Sequence, residues 1–312
     1  MLIMKKNVQI QEPLIINCLI IIMIESIINH KNINTAEAII LSAPYGHSFS
    51  FRAGAENGPR EIIKCLNGNL EFFDRFLLEE PFRDLKIYHH NLKNLNELSS
   101  TKMVQTIENF YKIQKDKFIV MLGGDHSVSI GSFSAFSKLY NPSDITILQI
   151  DAHPDLRDNT YDYQETSDKF SHACTMRRGC EMGFKTVQVG IRTYSIFDHE
   201  FIKKNKLTVF EWGKKKTPTI ESIIKSIKTK KVYPTIDVDG LDPAHTPATG
   251  TPVPGGLEWF YTRRLIRNLI KNKDLIGADI VDVSPVKDDV LTQYSAAQLC
   301  YDIVSYKLLK DK

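Results

Sequence analysis

Cysteine is sparse in this chain, with five residues among 312. The cysteines are scattered, their number is odd, and no two have the Cys-x-x-Cys spacing of a zinc ribbon or a redox motif. This pattern argues against a disulfide framework, which is typical of small secreted proteins and pairs its cysteines. We therefore predict a cytoplasmic protein whose cysteines are reduced.

The chain also lacks a large excess of either charge and a membrane-length apolar run. Lys and Arg number 40 against 37 Asp and Glu, so charge gives no reason to expect nucleic acid or an acidic membrane as a partner. The apolar stretch at 14–28 is shorter than the roughly 20 residues of a membrane span, and Asn17 and Glu25 interrupt it. Lys5 and Lys6 precede it as in a signal peptide, but no small-residue cleavage site follows.

We interpret residues 1–36 as an N-terminal extension, either a helix or upstream sequence that is not native before Met23. Met23 is an alternative start, because the sequence from there leads directly into the first strand-like run. The remainder, 37–312, has no internal repeat, no low-complexity tract and no Pro- or Gly-rich linker. We therefore predict one catalytic domain over 37–312.

Short apolar runs alternate with helical segments along this domain. The predicted strands are 38–43, 85–88, 118–122, 145–150, 186–191, 207–210, 232–236 and 278–283. Most are continuous apolar runs rather than alternating ones, as expected of strands covered on both faces. Segments such as 98–115 and 257–273 have the length and spacing of amphipathic helices. The alternation predicts an α/β fold with one parallel sheet between layers of helices.

Three of the predicted strands are followed at once by polar clusters. These clusters hold His126 after the first strand, Asp151, His153 and Asp155 after the second, and Asp237 and Asp239 after the third. Ligands of open α/β sheets bind beyond the carboxyl ends of the strands, so we expect one shared crevice. Each cluster alone could be a solvated loop, a turn or a helix cap. Together they predict a metal site, because buried charges are costly unless they are paired.

The types of side chain in these clusters indicate the metal. Two imidazoles and four carboxylates without a thiolate favour Mn²⁺ or a similar octahedral ion over tetrahedral zinc. Two divalent ions would balance the four carboxylate charges, and some carboxylates would have to bridge both ions, because six residues are few for two octahedral sites. Two ions about 3.5–4 Å apart can bind and deprotonate a water that neither would hold as well alone.

Three segments carry a resemblance to a known family. GGDHS (123–127), DAHPD (151–155) and DVDGLDPAHTPATGTPVPGG (237–256) resemble the signatures of the ureohydrolases, the arginase and agmatinase family. The similarity runs from about residue 38 to the C-terminus. It implies a three-layer α-β-α sandwich with a mainly parallel eight-stranded sheet, two Mn²⁺ per subunit, and a homo-oligomer, usually a trimer or hexamer. It assigns one ion to His126, Asp151, Asp155 and Asp237, and the other to Asp151, His153, Asp237 and Asp239.

The reaction of this family also needs a proton donor and a partner for the guanidinium. The resemblance implies that His172 is the proton shuttle, a role that suits an imidazole near neutral pKa. Asp155 is placed to accept a hydrogen bond from the attacking hydroxide as well as to bind metal. Asp282 stands where the family has a Glu that pairs with the guanidinium, and its carboxylate is one methylene shorter.

The predicted substrate is a small cationic guanidino compound. The stretch after Asp155 carries Asp158, Asp162, Glu165 and Asp168, and such an acidic rim suits an amine-bearing chain. We therefore favour agmatine, cleaved to urea and putrescine in polyamine biosynthesis. Against this, ATGTPV (248–253) is closer to the arginase versions of its loop. The alternatives are a guanidino acid such as guanidinobutyrate, aminopropylagmatine, or a non-catalytic relative that keeps the metals.

Overall fold

The computed structural model describes residues 26–68, 70–161 and 167–311. Most of the predicted N-terminal extension, Met23 included, lies outside these ranges. Within them, no helix combines the length and the apolar character needed to span a membrane.

The strands are β1 (Ala38–Ala43), β2 (Ile87–Asn91), β3 (Phe118–Gly123), β4 (Ile145–Ile150), β5 (Lys185–Ile191), β6 (Thr208–Glu211), β7 (Lys231–Asp237), β8 (Asp274–Leu275) and β9 (Ala278–Val281). The α-helices are α1 (Gly58–Leu66), α2 (Ser100–Ile113), α3 (Ser129–Leu139), α4 (Thr175–Glu181), α5 (Ile196–Asn205), α6 (Ile220–Ser226), α7 (Trp259–Asn272) and α8 (Leu291–Lys310).

All of these strands join one sheet. Its order is β2-β1-β3-β9-β7-β4-β5-β6, with β8 paired to β7, and every pairing among these strands is parallel. The prediction of a mainly parallel sheet in an α/β sandwich is confirmed. All eight predicted strands are present with small shifts at their ends. The sequence did not predict β8, because two residues are too few to form a recognisable pattern.

The sheet has an apolar core on each face. Along β1, Ala38 and Ile40 pack into one core, and Ile39 and Leu41 pack into the other. The first core takes its helical side chains from α1, α6, α7 and α8, and the second takes them mainly from α2, α3 and α4. Strands buried on both faces explain why the strand sequences are continuous apolar runs.

The strand order decides what lies at the carboxyl edge of the sheet. The central strands β3, β9, β7 and β4 are consecutive neighbours, so the segments that follow them meet. The turn after β3 carries His126, Asp282 directly follows β9, Asp237 ends β7, and Asp151 directly follows β4. All of the predicted site residues on these loops are thereby brought to one edge, as expected for a ligand site in a parallel sheet.

Candidate metal centre

The turn after β3 brings the loop that follows β1 close to His126. A side chain at Gly124 would place its Cβ 1.8 Å from the carbonyl oxygen of Tyr45, so only glycine allows this approach. Asp125 joins the two segments, because its Oδ2 accepts a hydrogen bond from the backbone N–H of Ser48 at 2.9 Å. Its Oδ1 caps the short helical turn that begins at His126 by accepting the N–H of Ser127 at 3.0 Å. Asp125 is therefore a positioning residue of this turn.

His126 is completely buried and points one ring nitrogen at three carboxylates. Its Nδ1 lies 2.9 Å from Asp155, 3.2 Å from Asp151 and 3.5 Å from Asp237. The other nitrogen, Nε2, lies 2.8 Å from Thr235 Oγ1, whose hydroxyl donates to a further carboxylate at 2.5 Å. When the Thr235 proton is used in that bond, its oxygen can accept the Nε2 proton, and Nδ1 is then free to bind a metal ion.

This arrangement calls for a cation. Nδ1 of His126 is buried and makes no hydrogen bond to any residue that the structure describes. Next to three carboxylate groups, this nitrogen must either carry a proton or bind a cation, because buried polar atoms are nearly always paired. A divalent ion bound by Nδ1 and the carboxylate oxygens would satisfy all of these groups.

A second group of ligand atoms adjoins the first. His153 Nδ1 lies 3.0 Å from Asp239 Oδ2 and 3.6 Å from Asp151 Oδ1. His126, Asp151 and Asp155 form one set able to hold a metal, and Asp151, His153 and Asp239 form another. Asp151 belongs to both sets, with Oδ2 toward His126 and Oδ1 toward His153.

Asp237 stands slightly apart from these two sets. Its Oδ2 is 3.5 Å from His126 Nδ1, farther than the corresponding oxygens of Asp151 and Asp155, and it is in neither compact set. Its Oδ1 accepts the backbone N–H of Asp239 at 2.9 Å. Asp237 thus faces His126 of the first set with one oxygen and binds the backbone of Asp239, a member of the second set, with the other.

The electrostatics of the cluster agree with a cation site. Burial, together with the charge of Asp151, raises the pKa of the Asp155 carboxyl to about 8. Burial and the nearby charges of Asp239 and Asp282 raise the pKa of Asp237 well above its usual range. The pKa of His126 is also raised: burial opposes this, but the facing Asp151 and Asp155 outweigh it. So many buried carboxyl groups ionise together only when positive charge lies among them, and two divalent ions meet that need.

Asp282 lies directly beside this cluster. Its backbone is in the left-handed region, with φ of 65°, and its N–H donates to Gly124 O at 2.8 Å. The carboxyl interacts with that of Asp237, and burial raises its pKa. Asp282 also lines the cavity that His153, Asp155, Asp237 and Asp239 line. Its short side chain therefore reaches both a predicted ligand and the space where a substrate would bind.

The cavity has a volume of about 510 Å³, and His172 and Ser50 also line it. His172 Nε2 lies 3.0 Å from Ser50 Oγ, and its backbone N–H donates to Ser48 Oγ at 3.0 Å. Burial and the neighbouring His153 and His126 lower the pKa of His172. His172 is thus held at the cavity wall by the loop after β1, a contact that the sequence did not predict.

The expected acidic rim is not formed by the residues that the structure describes. Asp158 pairs with Arg178 at 2.9 Å, and Asp168 accepts the backbone N–H of Phe170 at 2.8 Å. Neither lines the cavity, whereas Arg157 does. Asp162 and Glu165 lie outside the described residues. The rim prediction was wrong for Asp158 and Asp168, because the ion pair with Arg178 and the turn at Phe170 engage their carboxylates.

Arg192 is a further residue of the site that sequence reasoning missed. Its guanidinium donates to the carbonyl oxygens of Asp239 at 2.7 Å and Val253 at 2.6 Å. It thereby joins the segment after β7, which carries Asp239, to the loop around Val253. The sequence gives one weak indication of this role: Arg192 directly follows β5 and so lies at the same edge of the sheet as the other site residues.

Comparisons with known proteins agree with this architecture. The Arginase family model matches residues 36–305. The N(1)-aminopropylagmatine ureohydrolase of Synechocystis sp. is 32% identical over 87% of this chain and 89% of its own length. The guanidinobutyrase of Pseudomonas aeruginosa is 28% identical over 87% of this chain and 86% of its own. The crystal structure of the agmatine ureohydrolase of Thermoplasma volcanium superposes with a TM-score of 0.79 at 27% identity, covering 90% of this chain and 94% of that one. With its family signatures at the edge of this sheet and a family match over most of its length, the chain belongs to the arginase family.

Proposed function

We propose that the chain is a binuclear manganese hydrolase that cleaves a guanidino group and releases urea, with agmatine as the favoured substrate and putrescine as the second product. The observation that carries the proposal is Asp151, whose two oxygens face two different imidazoles at the carboxyl edge of the sheet. A shared carboxylate between two His-containing sets is what a pair of adjacent divalent ions requires.

In this proposal, His126, Asp151, Asp155 and Asp237 hold one ion, and Asp151, His153, Asp237 and Asp239 hold the other. The ligands are oxygen and imidazole nitrogen, which suits Mn²⁺. The bound ions would supply an activated water for attack on the guanidinium carbon.

The remaining steps fall to this chain's own side chains. Asp155 accepts a hydrogen bond from the attacking group and so orients it. Asp282, a carboxylate on the cavity wall, pairs with the planar guanidinium and holds its carbon over the ligands. His172, which lines the cavity beside Ser50, relays a proton to the departing amine.

Two rival substrates have specific support. Aminopropylagmatine is the substrate in the name of the Synechocystis relative, and a cavity of about 510 Å³ has room for a chain longer than agmatine. Guanidinobutyrate is supported by Arg157, a cation on the cavity wall that could pair with a substrate carboxylate. A cytoplasmic homo-oligomer, trimer or hexamer, is also part of the proposal, and light scattering on the purified protein would test it.

Urea release tests the proposal directly. The purified protein, loaded with Mn²⁺, is given agmatine, aminopropylagmatine, guanidinobutyrate, arginine and guanidine in separate assays. We expect urea from agmatine at the highest kcat/KM; a higher value with aminopropylagmatine would make that rival the substrate. Urea from guanidinobutyrate alone would replace the proposed substrate, and no urea from any compound would favour a non-catalytic relative that keeps the metals.

A further inference from the structure

A row of buried polar side chains crosses the centre of the sheet, two residues before the candidate metal ligands along β4 and β7. Gln188 on β5, Gln149 on β4, Thr235 on β7 and Asp279 on β9 are in register across four neighbouring strands. All four have no exposed surface. Polar groups in such a position destabilise the fold unless they are hydrogen-bonded. Because apolar side chains would pack there at lower cost, we infer that the row has a functional role.

The row lies directly behind the candidate ligands because alternate residues of a strand share a face. Asp151 is two residues beyond Gln149, and Asp237 is two residues beyond Thr235. Thr235 reaches His126, as described above, and Asp279 accepts hydrogen bonds from Thr235 and, at 2.9 Å, from Tyr233. The Gln149 end of the row reaches Asp151.

Every polar atom of the Gln149 amide is engaged. Its Nε2 donates to Asp151 Oδ2 at 2.6 Å and to the carbonyl oxygen of His153 at 3.1 Å. Its Oε1 accepts a hydrogen bond from Gln188 Nε2 at 2.5 Å. Gln188 Nε2 also donates to the carbonyl oxygen of Pro154 at 2.8 Å.

These contacts determine which way the Gln149 amide faces. If the amide were turned over, Oε1 would lie against a carboxylate oxygen, and its NH₂ would face the NH₂ of Gln188. Both contacts would be repulsive, because an amide oxygen is only an acceptor and an amide nitrogen only a donor. Gln188 therefore holds Gln149 with its donors toward Asp151.

We propose that Gln149, oriented by Gln188, is a positioning residue that holds Asp151 as a ligand shared between the two metal ions. The inference rests on the proposed binuclear function. Gln149 binds Oδ2, the oxygen that faces His126, while Oδ1 accepts the backbone N–H of His153 at 2.6 Å and faces the second site. With one donor on each oxygen, the carboxylate cannot rotate, and each oxygen keeps a lone pair for one ion.

The test measures metal binding rather than turnover. Gln149→Met keeps the length of the side chain and removes both donors. Chelator-treated protein is titrated with Mn²⁺ in competition with a chromophoric chelator. Loss of a residue that orients a ligand typically weakens metal binding by about 10–100-fold, and we expect a loss in that range. Gln188→Met should weaken binding in the same direction but less, because Gln149 still reaches Asp151.

Thr146→Val is the matched control. Thr146 is also buried on β4, but it lies at the other end of the strand, where its hydroxyl bonds to that of Thr229 at 2.7 Å. This variant loses a buried hydrogen bond in the same strand and should bind Mn²⁺ as the unchanged protein does. A role for Gln149 in stability alone would lower the melting temperature in both variants without altering Mn²⁺ affinity in either.

Unchanged Mn²⁺ affinity in Gln149→Met overturns the inference. If Gln149→Met does not fold, unchanged Mn²⁺ affinity in Gln188→Met overturns the inference. The inference also fails if the unmodified protein binds no divalent ion. The result is separable from the proposed function, because it needs no substrate. Two Mn²⁺ ions bound without urea release from any guanidino compound would refute the function, and the measured affinities would still decide the role of Gln149.

Discussion

Asp282 offers the sharpest test of the proposed guanidinium site. By the resemblance to the ureohydrolases, a Glu is expected at this position. Asp282→Glu adds one methylene, which extends the reach of the carboxylate by about 1.5 Å. The main chain cannot easily move to compensate, because the N–H of Asp282 is bonded to Gly124 O at 2.8 Å and the adjoining Val283 pairs with Thr249. If Asp282 pairs with the guanidinium as proposed, the length of its side chain therefore determines how the guanidinium is placed.

The size of the effect follows from this geometry. A reacting group misplaced by about 1 Å can lose about 100-fold in rate, which corresponds to about 2.7 kcal/mol of transition-state stabilisation. If agmatine is bound too far from the ligands, Asp282→Glu should raise its kcat/KM by up to about 100-fold. Asp282→Ala removes the partner of the guanidinium altogether and should abolish urea release from every substrate.

The assay is the initial rate of urea release with saturating Mn²⁺, together with the metal content of each variant. Metal content is needed because Asp282 also interacts with the carboxyl of Asp237. Asp288 provides the control: it is an exposed Asp with the same φ of 65°, and it does not line the cavity. Asp288→Glu and Asp288→Ala should leave kcat/KM and metal content unchanged.

Two results would refute this reasoning in different ways. Normal kcat/KM in Asp282→Ala, with two ions bound, would mean that this carboxylate does not hold the guanidinium. Loss of metal in Asp282→Ala, with normal turnover per metal-loaded chain, would mean that the carboxylate serves Asp237 and not the substrate. A lower kcat/KM for agmatine in Asp282→Glu would show that the shorter side chain is adapted to its substrate.

Three further predictions concern the metals, the proton and the N-terminus. Asp151→Asn or Asp237→Asn removes a shared ligand and leaves positive charge uncompensated, so elemental analysis should find less than one ion per chain; two ions retained in either variant would contradict the bridging role. His172→Ala should keep both metals and lose about 10²–10⁴ in turnover, and a normal rate would leave His172 with a packing role only. A chain that begins at Met23 should fold and retain full activity, since the family match begins at residue 36; loss of soluble protein would show that the apolar segment packs onto the domain.

Much of this architecture could be predicted from sequence because its signals are local. A strand buried on both faces is mostly apolar, so runs such as 118–122 and 145–150 identify the centre of the sheet. Charged residues that directly follow such runs must lie at the carboxyl edge. The types and spacing of Asp151, His153 and Asp155 then indicate a metal before any strand order is known.

What the sequence could not provide depends on contacts between distant segments. The acidic stretch after Asp155 reads as a rim, but the partner of Asp158 is Arg178, a helical residue that no local pattern connects to it. In the same way, nothing in the loop after β1 predicts that Ser50 lies beside His172, since the two are 122 residues apart.

The placement of β9 shows why strand order carries so much of the functional argument. This strand comes late in the chain, yet it lies between β3 and β7, and so its end adjoins both the His126 turn and the Asp237 loop. The same insertion puts Asp279 in line with Thr235, where it completes the row of buried polar groups behind the ligands. β9 and the residue after it thus provide two carboxylates: Asp282 lines the cavity, and Asp279 supports His126 through Thr235. A polar residue two positions before a candidate ligand, in an otherwise apolar strand, is the sequence signal for such support, and Gln149 and Thr235 both carry it.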